Sequence, residues 1–490
     1  MKIVGKAPNF VKISDFFDKI YHSVYYIIFV ALISVLGFTL KQEVAAMFIL
    51  LIVISVNLAL CRDVSPSFLP TILIALIPMQ YANADLSGFG VMVYAAVFMV
   101  PAIILRFVFF PFRFNKGKNL IPILVYSVVL VLGGVGSDIT ASEYFAFYPI
   151  YTVLGLGFLQ ALMYLFWQSY TPASSDETIL YFCKMMCAIA AVSVIMILYT
   201  YIYYYATHEV TSFKFVSFLW KNYVSDILML TMPFSFYLAV KTRYKVLFAA
   251  YGLLQYLAII FTLSGGGMMF STLMMPFLLF LTLKSVDKKH RKIFLFALGA
   301  ICLAILAFVI VKRDVFIELY KKKIATGGTE RFTLYEHAIE VFKKFPVFGG
   351  GYGYTDAFIQ ENFVEKMDFI MTYFHSTFFQ ALAATGIVGV LGYAFMAFFR
   401  LKTFIKKDLF NLFLLVGFLG YAGYSMIDVG TAMPFPFVAM CTFMLVLTEK
   451  HNARKISLVT AENAVSACSP SVFEQNASPN EENSASGEPQ

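Results

Sequence analysis

The sequence predicts an all-α, polytopic membrane protein of about 12–14 transmembrane helices with one large external, partly helical loop. Three observations carry this. Of 490 residues, 60% are hydrophobic and only 13% charged, whereas soluble domains carry roughly 25% charged residues. Nearly uncharged stretches of about 17–25 residues, the length that crosses a bilayer as a helix, recur along the chain. Lysine and arginine gather in alternate connections between those stretches, the asymmetry that orients membrane proteins.

The apolar stretches centre on 22–40, 44–60, 68–83, 89–110, 119–137, 147–167, 181–205, 223–240, 245–263, 267–284, 292–312, 376–399, 409–426 and 433–448. That makes about 14 spans, and the third is short and broken by Pro70 and Pro78, which keeps about 12 or 13 open. Residues 1–312 hold the spans before the loop, 313–374 the loop, and 375–450 the spans after it. Residues 456–490 are rich in Ser, Asn, Glu and Pro, cannot bury a core, and read as a disordered cytoplasmic tail. The first apolar run is span-length and lacks a small-residue cleavage site, so no cleavable signal is expected. There is no tandem repeat and no inverted-repeat signature of the kind many transporters carry.

With the N-terminus inside, the cytoplasmic connections hold Lys12 and Lys19, then Arg113, Lys116 and Lys118, then Lys241 and Arg243. Lys288 and Arg291, Arg400 and Lys402, and Lys450 and Arg454 follow. The opposite connections near 83–88, 136–146, 264–266 and 427–433 contain neither Lys nor Arg. Both termini are therefore expected in the cytoplasm and the 313–374 loop outside. The net charge of +8 is a topology signal, and no nucleic-acid partner is read from it. None of the cysteines (Cys61, Cys183, Cys187, Cys302, Cys441 and Cys468) lies in the outer loop, so no disulfide framework is implied. Cys183 and Cys187 sit four apart without a His or acidic neighbour and read as packing residues, not a metal pair.

The chemistry concentrates in residues 329–389. A loop longer than about 12–15 residues is usually functional or disordered, and this one is aromatic-rich with helical periodicity. Thr329 reads as a helix N-cap with Glu330 in the first turn. Phe332, Tyr335, Ile339 and Phe342 then make an apolar face that can lie on the membrane surface or under the loop. Arg331 stands off that face, and Pro346 ends the helix. His337 reads as part of a solvated face. Next come Gly349, Gly350, Gly351 and Gly353, which can cradle phosphate oxygens with backbone N–H groups. Without a GK[ST] they are no nucleotide P-loop, and a helix-ending turn is the simpler reading of the run alone. His375 closes the loop at the mouth of the next span. From position alone it is either an interfacial side chain or a general base. Gly386, Gly389 and Gly392 then line one side of that span and allow a neighbouring helix close. The run Lys321, Lys322, Lys323 adds local positive charge, although the loop carries about as many acids as bases.

Arg331-x3-Tyr335, Pro346-x2-Gly349-x-Gly351-x-Gly353, His375-Ser376 and Gly386-x2-Gly389 together resemble the hallmark region of the O-antigen ligase and O-antigen polymerase family. The resemblance covers roughly residues 260–390; the N-terminal half is similar in topology only. It implies a bacterial integral membrane glycosyltransferase of the GT-C type, in the cytoplasmic membrane. Its partners are an undecaprenyl-diphosphate-linked oligosaccharide donor, a saccharide acceptor and the lipid bilayer, with no metal and no cofactor. By that resemblance Arg331 holds the pyrophosphate and His375 deprotonates the acceptor hydroxyl, which attacks C1 with inversion. Tyr335, Gly349, Gly351 and Gly353 are then substrate-binding candidates.

Two departures stand out. The family usually carries Ser-Arg-Gly where this chain has Ser264-Gly265-Gly266, so the second pyrophosphate arginine is missing. Arg313 is the first substitute and Lys221 the second. Ser376 also follows the histidine where Asn is usual. These leave a silent assembly partner as one alternative and a flippase or transporter as another. A carrier should bury several ionisable groups mid-membrane, and here Asp226 and Asp428 lie near outer span ends. With the catalytic arrangement above, Arg331 and His375 should approach within about 8–12 Å across a polar cavity, since a base must reach the attacking hydroxyl.

Overall fold

A computed structural model describes residues 8–76, 87–137, 147–172, 174–208, 221–311, a few positions from 313 to 321, 329–352, 374–428, 430 and 435–468. Every predicted span is helical within these residues, and no strand occurs among them. The protein is an all-α polytopic membrane protein.

The chain begins with α1 (Pro8–Tyr21) and α2 (Val24–Thr39), which meet at a 66° bend. The bend falls at Ser23, whose hydroxyl accepts the Tyr26 N–H and starts α2 afresh. Then come α3 (Glu43–Leu60), α4 (Phe68–Leu76), α5 (Ser87–Phe109) and α6 (Leu120–Leu132). A fully buried arginine ties this part together. Arg106 of α5 donates to the carbonyls of Cys61 and Arg62 just past α3, and its guanidinium lies 4.2 Å from the Phe110 ring and 4.3 Å from the Tyr170 ring. A buried cation is tolerable here because helix-end carbonyls and ring faces replace its water.

The predicted span at 147–167 is two helices, α7 (Phe147–Leu156) and α8 (Phe158–Tyr170), broken at Gly157. Gly157 sits against Ser127 of α6, where a Cβ would come within 3.1 Å of the serine backbone. Next are α9 (Asp176–Thr207), α10 (Lys221–Lys241), α11 (Lys245–Phe261), α12 (Gly265–Ser285) and α13 (Lys288–Val311). The chain closes with α14 (Thr329–Lys344), α15 (Thr377–Phe404), α16 (Leu409–Ser425) and α17 (Phe437–Cys468).

Five helices, α3, α9, α10, α12 and α15, are long and apolar enough to cross a membrane alone, and the bent α1–α2 pair makes up to six. Several other predicted spans appear as shorter apolar helices, such as α6, α11 and α16. The centre of the bundle is α10, whose apolar stretch is 89% buried, more than any other crossing helix. It packs on α9, α11, α12 and α16. Its internal Pro233 fits because Gly417 of α16 faces it; a Cβ there would lie 2.8 Å from the ring.

Three expectations change. α17 continues as helix to Cys468, past the point near residue 456 where the tail was read to begin; residues 469–490 lie outside the described set. Polar contacts hold the turn just before that point: His451 and Lys455 pair with Asp408, and Arg454 with Asp176. In α14 the buried face is Leu334, Ala338 and Val341, packed on Phe374 and Ala383, whereas Phe332 is 67% exposed. Both faces are apolar, and the periodicity alone could not say which turned inward. His337, read as solvated, is buried beside Leu334 and Ala338 in position and lies 3.5 Å from Glu340.

Candidate active site

The break in α15 builds the site. Gly386 has φ 63° and ψ −159°, a conformation open essentially to glycine alone. The helix opens there, and residues 345–352 dock into the gap. Ile387 N–H donates to Pro346 O at 2.9 Å and Val388 N–H to Val347 O at 3.2 Å. In return Gly350 and Gly351 N–H donate to Ala383 and Ala384 carbonyls at 2.8 and 2.9 Å. Gly349 N–H bonds Phe345 O at 3.0 Å, and Gly134, beyond α6, donates to Phe348 O at 2.8 Å.

These bonds use the backbone donors that the glycine run was expected to offer to phosphate oxygens. The N–H groups of Gly349 and Gly351 are already donated within the protein, and both residues hold the positive φ that favours glycine, 66° and 89°. A Cβ on Gly349 would lie 2.5 Å from the Ala384 carbonyl carbon. Gly353 lies outside the described residues. Of the span glycines, Gly392 receives Val129 of α6, where a Cβ would sit 3.1 Å away, and Gly389 faces Thr385 of its own helix.

At the N-terminus of α15, Ser376 caps the helix through Phe379 N–H, and Gln380 Oε1 accepts from Phe374 N–H at 3.0 Å. His375, between them, has φ 48°. A left-handed histidine costs on the order of 1–2 kcal/mol, held here by caps on both sides. The turn aims the ring at Asp428, just past α16, with Nδ1 3.3 Å from Oδ1. Asp428 is buried, and its Oδ2 accepts from Asn222 Nδ2 at 2.8 Å and Tyr424 Oη at 2.9 Å. Arg331 completes the group. Its Nη1 donates to Ile427 O at 2.7 Å and its Nη2 stands 4.0 Å from Asp428 Oδ2.

Tyr335 links α14 to the histidine. Its hydroxyl donates to His375 O at 3.3 Å, and its ring stacks on Phe379 at 4.3 Å. Burial pushes its phenol above the ordinary value, partly offset by Arg331, so it remains a donor throughout the neutral range. The strain at His375 has a measurable consequence. His375→Gly should melt about 1 kcal/mol more stably than His375→Ala, because glycine alone is relaxed at this φ. Thermal unfolding of the two purified variants checks it; an equal or lower midpoint for the glycine variant would remove the strain.

Arg331 and His375 therefore come together, at the two oxygens of one carboxylate that the sequence reading left out of the site. Asp428, Asn222 and Tyr424 sit at span ends without motif spacing; a lone acid beside an apolar span end was the one available signal. The two substitute cations stand in different surroundings. Arg313 is three-quarters exposed and pairs only with its neighbour Asp314 at 3.4 Å among the described residues. Lys221 opens α10 and directly precedes Asn222, which touches Asp428. Gly266, beside the position of the missing arginine, abuts Tyr424 and Ile427, where a Cβ would lie 2.7 and 3.0 Å away. Among the described residues no cluster of three His, Cys, Asp or Glu side chains could hold a metal.

Residues 249–394 match the family model described as O-antigen ligase. The matched stretch contains Arg331, Tyr335 and His375, while Asn222, Tyr424 and Asp428 lie outside it. No curated protein matches the chain. The chain is thus an O-antigen ligase-like, multi-pass membrane protein of polysaccharide biosynthesis.

Proposed function

We propose that this ligase-like protein transfers or polymerises an undecaprenyl-diphosphate-linked glycan onto a saccharide acceptor at the outer face of the bacterial cytoplasmic membrane. One observation carries the reading: His375 and Arg331 meet at the buried Asp428 carboxylate. With Nδ1–H directed at Asp428, the His375 Nε2 lone pair is left to take the acceptor hydroxyl proton. The oxygen then attacks C1 from the face opposite the diphosphate; the C1–O bond to the acceptor forms as the C1–O bond to phosphate breaks, with inversion. Asp428 steadies the imidazolium so formed. Arg331 offers a forked guanidinium to the departing diphosphate, which is already a good leaving group, so charge neutralisation and one base suffice without a metal. The Lys/Arg asymmetry supports an external loop and cytoplasmic termini.

The test uses membranes bearing the full chain and a lipid-linked donor. His375→Ala and Arg331→Ala should each lower product formation by about 100-fold or more at normal protein level, the usual scale for a general base or a charge clamp. Undiminished transfer by both variants would leave the silent-partner reading in possession. In the same assay Lys221→Ala should lose about tenfold and Arg313→Ala less than twofold, since Lys221 adjoins Asn222 of the site in sequence whereas Arg313 is exposed and pairs with Asp314. The reverse order would restore Arg313 as the second cation.

A further inference from the structure

We infer that α14 rests on the bilayer surface through its second apolar face, so that the partner of this face is the headgroup–acyl boundary of the membrane. The helix has more apolar surface than the protein covers. Leu334, Ala338 and Val341 are fully buried against α15 and the residues before it. Phe332 and Ile339, one face round and two turns apart, are exposed, with Tyr335 and Phe342 half-buried between the two faces. The opposite side carries the polar residues Lys343, Glu336, Glu340, Thr333 and Lys344. An amphipathic helix whose apolar arc is wider than its protein contact needs a second apolar medium.

Continuity identifies that medium. Phe332 contacts Tyr335 edge-on at 6.4 Å, Tyr335 stacks on Phe379, and Phe379 meets Phe378 edge-on at 5.4 Å. Phe378, 43% exposed, heads the outward side of α15. Further along that membrane-crossing helix, Ile387, Leu391 and Phe398 are exposed as well. The exposed face of α14 is therefore joined by unbroken aromatic contact to the surface of a helix that crosses the bilayer. The last turn agrees in charge: Lys343 and Lys344 carry apolar stems that can lie along the boundary while their ammonium groups reach headgroup phosphates.

One consequence rests on the proposed function. Arg331 adjoins Phe332 but turns inward to Ile427 and Asp428. A helix lying at the boundary would hold that guanidinium at headgroup depth. A lipid-linked diphosphate would then reach it by sliding within the leaflet, without leaving the membrane.

The test is tryptophan fluorescence of the full chain in vesicles of phosphatidylcholine and phosphatidylglycerol whose acyl chains are brominated near the headgroup. Wild type, with Trp167 and Trp220, supplies the baseline. Phe332→Trp and Ile339→Trp should each show added emission that the brominated lipid quenches at least twofold more than that of Glu336→Trp, and that aqueous iodide reaches less. Two variants guard against one of them misfolding. Emission from both sites that iodide quenches and bromolipid does not would overturn the inference. Iodide quenching relieved only by added oligosaccharide would overturn it in favour of a sugar-stacking shelf. No donor or turnover enters the measurement, so its failure is separate from a failure of the transfer reading.

Discussion

Asp428→Asn is expected to lower glycan transfer by about 10²–10⁴-fold while the protein still folds, by analogy with orienting carboxylates beside a catalytic histidine. The substitution is nearly isosteric, and Asn222 and Tyr424 still find an amide oxygen. What changes is the histidine. An amide that gives its oxygen to those two donors presents N–H to His375 Nδ1, which then accepts and places its proton on Nε2. That nitrogen can no longer take a proton from the acceptor. Arg331, 4.0 Å from the carboxylate, also loses its anionic neighbour. Asp428→Ala should add a stability loss, because Asn222, Tyr424 and His375 would all face a site without an acceptor, at about 1–3 kcal/mol per stranded buried donor. Initial rates at saturating and limiting donor, with thermal midpoints, separate the two effects. Transfer by Asp428→Asn within fivefold of wild type would show that the histidine needs no orienting acid.

The largest stability effect is expected at Gly386. Alanine there would carry its Cβ to 2.4 Å from Val347 O and 2.7 Å from Gly349 N, and would have to hold φ 63° with ψ −159°. Both contacts are backbone, so no flexible side chain can give way. A cost of about 3–5 kcal/mol follows, combining backbone strain with overpacking. Gly349→Ala meets the same wall from the other side, 2.5 Å from Thr385 N at φ 66°. Gly392→Ala is the control: its neighbour is the Val129 side chain at 3.1–3.3 Å, and about 1 kcal/mol or less is expected. Detergent-solubilised yield and thermal midpoint read all three. A Gly386→Ala protein that melts with wild type would mean the helix can close over its break.

The fold was legible because hydropathy is a strong, local signal: the helices fall where uncharged stretches predict them. What hydropathy could not show is how a span is interrupted. Gly157 splits one predicted span because Ser127 approaches it, and Gly386 breaks another because residues 345–352 enter it. Both causes are remote in sequence. The site was half legible. Arg331 and His375 were singled out by their match to the family's motif, position alone leaving His375 open. Asn222 is in α10 and Asp428 lies just past α16, and packing of those two helices brings them together. The glycine run showed where backbone freedom was needed but not what would occupy it. His337 and the inward face of α14 were misread for a related reason: a helix with two apolar faces has no single preferred orientation until its neighbours are known.

The docking of residues 345–352 into the break of α15 also sets an order of assembly. During synthesis this segment is made before every group in α15 that it bonds: the Ala383 and Ala384 carbonyls and the Ile387 and Val388 amides. A ribosome-bound chain ending near residue 380 therefore carries Arg331, His375 and the whole glycine run without a frame to hold them. Only when the second half of α15 has emerged can the segment lock, and Asp428 arrives later still. Cleavage of stalled chains by an externally added protease would record this as a loop open to cutting up to about that length and closed beyond it, since proteases cut chain that is not held by burial and hydrogen bonding.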